Sequence, residues 1–166
     1  MGLVLILIRH GEAVQSGADS KDDGRILTAR GQRQSLALGE QLVQAGWQPT
    51  LALVSDAART TQTWTGVAAG AGAAFADTAV EHQRLIYSGA VIQLQQLLQA
   101  VDALKHHTVV MVGHNPGISE LAGDLVSQYL RLSPGDGVVL GTQAESWVEA
   151  AAGEGGWDLL ARLNAV

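Results

Sequence analysis

Residues 3–14 read LVLILIRHGEAV. Residues 3–8 form an unbroken apolar run rich in branched side chains, which predicts a strand covered on both faces, as in a parallel sheet. The run stops abruptly at Arg9, His10 and Gly11. It is far shorter than the ~20 residues that cross a bilayer. No charged leader or small-residue cleavage site accompanies it, so a core strand is expected and not a signal or membrane segment.

Two more apolar runs end in a similar way. Residues 51–54 follow Pro49 and give way to Ser55, Asp56 and, one helical turn on, Arg59. Residues 108–112 give way to Gly113, His114 and Asn115. Helical spacing fills the intervals. Thr28 is placed to cap a helix carrying Leu38, Leu42 and Ala45 and closed by Gly46. Residues 60–69 predict a second helix, stopped by Gly70 and Gly72. Residues 90–104 predict a third, with Val91, Leu94, Leu97, Leu98, Val101 and Leu104 on one face. Pro116 sits at an expected first helical position, before a helix over 118–130. Residues 14–27 read as a polar loop and 73–80 as a strand. Segments 138–140, 147–151 and 157–163 read as short antiparallel strands around glycine-rich turns. The alternation predicts one α/β domain over 1–166 with a mainly parallel sheet and right-handed crossovers.

In open parallel sheets, ligands bind beyond the carboxyl ends of the strands. If the three runs are parallel neighbours, Arg9, His10, Arg59 and His114 converge there. Helices starting near residues 58 and 116 add their N-terminal N–H groups and partial positive charge. Arginine forks grip phosphate through several donors. Taken singly, each of these residues is as readily a capping, surface or structural residue. The coincidence at three strand ends carries the functional reading. His82, His106 and His107 read as solvated or loop residues, and Gly11 and Gly113 serve either tight turns or close approach to a ligand.

Composition narrows the chemistry. The 166 residues carry 10 Lys plus Arg against 16 Asp plus Glu, a formal charge of −6. Such an acidic chain is a poor general binder of nucleic acid, which requires phosphate neutralisation. Cysteine is absent, which removes thiolate nucleophiles and cysteine zinc sites. No His/Glu spacing suggests a metal, and no glycine-rich nucleotide loop follows the first strand. A soluble cytoplasmic protein with no membrane partner and no cofactor is expected.

Arg9-His10-Gly11 after an N-terminal strand resembles the signature of the histidine phosphatase (phosphoglycerate mutase-like) superfamily. Leu27-Thr28 with Gly31 is similar to its "LT..G" element, and residues 55–63, SDAARTTQT, to its "S…AR..QT" segment. Leu85-Ile86-Tyr87 and Gly113-His114-Asn115-Pro116-Gly117 resemble the "LY" and "GHNP" elements of the SixA-type phosphohistidine phosphatase branch. Order and spacing agree over residues 3–125.

The resemblance implies a three-layer α/β/α fold and a metal-independent phosphatase. His10 would be the nucleophile and form a phosphohistidine intermediate. Arg9, Arg59 and His114 would bind the phosphoryl oxygens, His114 as an imidazolium. Gly11, Ser55 and Asn115 would help to form the substrate pocket, with Thr28 nearby. Glu81 is the first candidate for general acid, with Asp23 and Glu12 as rivals. The implied substrate is protein phosphohistidine, as on a histidine phosphotransfer domain in signal transduction, with inorganic phosphate as product. A small phosphomonoester phosphatase or mutase of the same fold is the alternative. A non-catalytic phosphate-binding module is another.

Overall fold

The computed structural model describes residues 2–15 and 21–164. Six strands form one sheet: β1 (Leu3–Arg9), β2 (Leu51–Val54), β3 (Ala79–His82), β4 (Thr108–Gly113), β5 (Gly137–Thr142) and β6 (Asp158–Leu163), in the order β3-β2-β4-β1-β5-β6. The first four run parallel, whereas β5 is antiparallel to both β1 and β6. The fold is thus α/β with a mostly parallel sheet and an antiparallel C-terminal part, as expected.

Both sheet faces are covered. Leu3, Leu5, Leu7, Leu53 and Met111 pack under α3 (Arg84–Ser88), α4 (Val91–Gln99), α5 (Gly117–Val126) and α6 (Trp147–Ala151). Ile6, Ile8, Val54 and Val112 pack under α1 (Ala29–Gln44) and α2 (Ala58–Ala71). Alternate side chains of β1 therefore serve opposite layers, which is why its sequence is continuously apolar. None of the helices among the described residues is long and apolar enough to cross a membrane.

Several expectations need correction. Gly70 lies inside α2, and only Gly72, at φ +62°, ends it. Residues 72–75 form a 3-10 turn instead of a strand; Phe75 folds back to stack on Trp64 at 6.1 Å, leaving β3 to begin at Ala79. The helix predicted over 90–104 stops at Gln99. Asp102 Oδ1 accepts the Leu104 N–H at 2.9 Å, an Asx turn that competes with the helix, and Leu104 is 92% exposed. Likewise α5 stops at Val126, where Ser127 adopts φ +55°. Pro116 is its capping residue and not its first helical one. Residues 147–151 are helical, not a strand, because Ser146 Oγ caps the Glu149 N–H at 3.3 Å. The loop over 14–27 contains a 3-10 turn at Asp22–Gly24 and an Ala13–Leu27 bridge; residues 16–20 lie outside the described residues.

Candidate active site

Register brings three strand ends level. Val112 of β4 pairs with Ile8 of β1 on one side and Val54 of β2 on the other. The residues that follow, Arg9-His10, Ser55 and Gly113-His114, therefore emerge side by side at the carboxyl edge of the sheet. The His10 and His114 rings lie 5.3 Å apart. Arg59 reaches the same place from the first turn of α2 and is buried.

Each side chain is held from behind. His10 Nδ1 lies 2.7 Å from the Gly11 carbonyl, which accepts its proton and leaves the lone pair of a neutral ring on Nε2. The Gly11 N–H in turn donates to Thr63 Oγ1 at 3.0 Å, and Thr63 donates to the Arg59 carbonyl at 2.7 Å. Arg9 Nη1 donates to the Leu132 carbonyl at 3.0 Å. Ser55 Oγ lies 2.7 Å from His114 Nε2. When Ser55 donates in that contact, the proton of a neutral His114 sits on Nδ1.

Three buried side-chain nitrogens have no hydrogen-bond partner among the described residues: Arg9 Nε, Arg59 Nε and His114 Nδ1. Buried donors are almost always satisfied. All three belong to residues expected to hold phosphoryl oxygens.

The electrostatics are those of an anion receptor. Burial, then Arg59 and Arg9, push His10 down to about 4 despite its bond to Gly11. Burial, then Arg59 and His10, push His114 down to about 3. Both rings are therefore neutral at pH 7, which suits His10 as a nucleophile. The imidazolium expected at His114 then needs a proton gained with the substrate, since crowding with cations disfavours a further positive charge.

An acidic partner faces this cluster, and the sequence reading missed it. Asp22 accepts from Arg59 twice: the carbonyl from Nη1 at 2.8 Å and Oδ2 from Nη2 at 3.1 Å. The Tyr87 hydroxyl donates to the same Oδ2 at 2.5 Å. Tyr87 comes from α3, sets its ring edge-on to His114 at 5.2 Å, and lies beneath Arg84 at 4.0 Å. The Tyr87 hydrogen bond, with Arg25 and Arg59, holds Asp22 down to about 2. The only sequence signal was the Asp22-Asp23-Gly24 turn, which said nothing about what the turn would touch.

Glu81 falls elsewhere, and the other candidates are engaged by structural partners. Glu81 pairs with Leu53 across β2 and β3, on the α4 side of the sheet. It lines a cavity of about 270 Å³ with Leu97, Lys105 and His106, not the histidine cluster. Asp23 pairs with Arg84 at 3.1 Å. Glu12 accepts from Thr28 Oγ1 at 2.9 Å and pairs with Arg30 at 3.3 Å, while Thr28 caps α1 through the Gly31 N–H. Asn115 donates to the Leu132 carbonyl at 2.8 Å and accepts from Ser119 at 2.6 Å. It thus steadies the carbonyl that anchors Arg9. A Cβ on Gly11 would lie 2.7 Å from the Gly31 carbonyl, so packing against α1 is what demands glycine there. Among the described residues, no group of three or more His, Cys, Asp or Glu side chains is placed to hold a metal ion.

Comparison with known proteins bears on the family and the fold. Residues 5–85 match the family model of the histidine phosphatase superfamily, branch 1. An uncharacterized chloroplastic protein of Arabidopsis thaliana is 30% identical over 163 residues, spanning 93% of this chain and 74% of that one. A structure assigned as phosphohistidine phosphatase SixA from Nakamurella multipartitia superimposes with a TM-score of 0.84 at 25% identity, covering 100% of this chain and 98% of that one. The protein histidine phosphatase SixA complexed with tungstate shares the fold at TM-score 0.80 and 19% identity, over 98% and 97% of the two chains. The alpha-ribazole phosphatase of Shigella flexneri matches at 0.66 and 16% identity, over 87% and 93%.

Proposed function

The chain belongs to the histidine phosphatase superfamily, and from that premise we propose that it hydrolyses protein phosphohistidine through a phosphorylated His10. One observation carries the reading: the level strand ends and the first turn of α2 bring Arg9, Arg59 and His114 to the imidazole of His10, whose ring lies 5.3 Å from that of His114 and whose Nε2 is left with its lone pair.

The chemistry runs in two steps. His10 Nε2 donates its lone pair to phosphorus as the bond from phosphorus to the leaving atom breaks. Water then attacks phospho-His10, releasing inorganic phosphate and restoring the neutral ring. Splitting one transfer into two lowers each barrier. Phosphoryl transfer asks mainly for alignment and charge stabilisation. The two guanidiniums supply that charge. The incoming dianion also favours protonation of His114, so the third positive charge arrives with the substrate.

The leaving group distinguishes the substrate classes. An alkoxide needs a proton from an acid. Asp22, the carboxyl placed beside Arg59, is held ionised far below neutral pH and has none to give. A leaving histidine ring can take its proton from solvent at its other nitrogen. Phosphohistidine therefore suits this site better than a phosphomonoester.

The test is a labelled turnover. Incubation with a ³²P-phosphohistidine protein, followed by rapid quenching, should trap label on the enzyme that is labile to acid and stable to base. His10→Ala should abolish both the label and turnover. Hydrolysis at full rate by that variant would reject the mechanism.

A further inference from the structure

A cavity of about 910 Å³ opens beside the phosphoryl site, between α5 and the segment that follows it. Its wall includes Asn115, Glu120, Asp124, Gln128, Tyr129 and Arg131. Two features join it to the site. Asn115 directly follows His114, and Leu132, which directly follows Arg131, gives its carbonyl to both Arg9 and Asn115. The cavity is at the upper end of what encloses a drug-sized ligand and far exceeds a phosphoryl group. It is also open-walled, because Glu120, Asp124, Gln128, Tyr129 and Arg131 are all exposed.

Resting on the phosphohistidine reading above, we propose that this groove docks the polypeptide that carries the phosphohistidine. Its preferred occupant is a helical segment with a lysine or arginine one to two turns from the modified histidine. Charge and length specify that occupant. Glu120 and Asp124 stand one helical turn apart on α5, so both project toward the same groove. None of the ion pairs among the described residues uses Glu120, Asp124 or Arg131. The span from Pro116 to Asp124 is ~12 Å at 1.5 Å per residue, which matches two turns of a partner helix. A phosphohistidine seated at His10 would carry its own helix out past Asn115, with its next turns over the two carboxylates. Tyr129 is 87% exposed at the far wall, and tyrosine is a favoured anchor in protein interfaces. The two carboxylates outnumber Arg131 on this wall, and a net acidic groove beside a cationic phosphoryl site favours a basic partner segment.

The test compares two substrates. One is a histidine phosphotransfer domain phosphorylated with phosphoramidate and bearing a lysine at that spacing; the other is free phosphohistidine. In the Glu120→Lys/Asp124→Lys double variant, and separately in Tyr129→Ala, kcat/KM on the domain should fall about tenfold or more, mainly through KM. Turnover of free phosphohistidine should stay within about twofold. Replacing the lysine of the domain by alanine should reproduce the loss with the unmodified enzyme and partly restore turnover in the double variant, where that lysine would otherwise face two lysines. Equal losses on both substrates, or no loss on the domain, would overturn the docking groove while leaving the phosphatase reading intact. An unmodified enzyme that turns over neither substrate would overturn both.

Discussion

Asp22 and Arg59 set the charge that an incoming phosphoryl group meets. Asp22 engages both Nη atoms of the guanidinium, Nη1 through its main-chain carbonyl and Nη2 through its carboxylate, whose Oδ2 also accepts from Tyr87. It is an internal anion beside the one the site is built to receive. Asp22→Asn keeps the carbonyl contact and a side chain of the same shape but removes the like charge. Inhibition by vanadate or inorganic phosphate should therefore tighten, by about tenfold if the repulsion acts through the partly wet environment of this residue. Unchanged inhibition constants at pH 7 would show that Asp22 swings clear before the anion arrives. Asp22 also marks where residue-level reading ends. Arg9, His10, Ser55, Arg59 and His114 were legible because each follows an apolar run or opens a helix. Asp22 sits in a polar turn whose neighbours are distant in sequence: Arg59 is 37 positions away and Tyr87 is 65.

At the scale of elements, α1 and α2 pack backbone against backbone. A Cβ on Gly39 would lie 2.0 Å from the Val67 carbonyl oxygen, and one on Gly70 would lie 2.1 Å from that of Leu36. Those oxygens belong to helical backbone and cannot step aside as a side chain can. Gly39→Ala should cost about 2–3 kcal/mol by overpacking, a Tm fall of roughly 4–12 °C for a chain of this size. Gly24→Ala, where an added Cβ meets nothing within 4 Å, is the control and should melt near the parent. Equal Tm values for all three proteins would mean that the helices separate at no cost. The pairing matters for the site because α2 carries Arg59 and Thr63, and Thr63 holds Gly11. It also explains a misreading. Gly70 looks like a helix stop because glycine is a poor helix former, but its use here is close approach, which only the partner helix reveals. The strands β1, β2 and β4 were legible because burial on both faces leaves a continuous apolar run. The start of α6 was legible in principle: Ser146-Trp147-Val148-Glu149 has capping-box form. The apolar residues around it favoured a strand instead.

For the whole molecule, holding two neutral histidines within a cationic pocket ties stability to pH. The direction follows from proton counts. Unfolded histidine titrates near 6.5, whereas in the folded chain His10 does so at about 4 and His114 at about 3. Between 6.5 and those values the unfolded chain holds more protons than the folded one, so stability must fall as pH drops through that window. Well above 6.5 the slope from both groups fades to nothing. The limiting slope is ~1.4 kcal/mol per pH unit for each histidine, reached only where the unfolded ring is charged and the folded ring is not. Asp22 acts lower down, because its folded value of about 2 lies below the ordinary carboxylate range, so the stability it lends is lost only in stronger acid. Urea midpoints should therefore decline from pH 7 to pH 5 in the parent and decline less in a His10→Asn/His114→Asn variant. Saturating phosphate should flatten the parent curve as well, since a bound dianion lets the folded rings accept protons that the cations otherwise deny them. Parallel curves for parent and variant would mean that these rings titrate normally in the folded chain. The neutral imidazole required by the proposed chemistry would then have to arise from something other than burial among arginines.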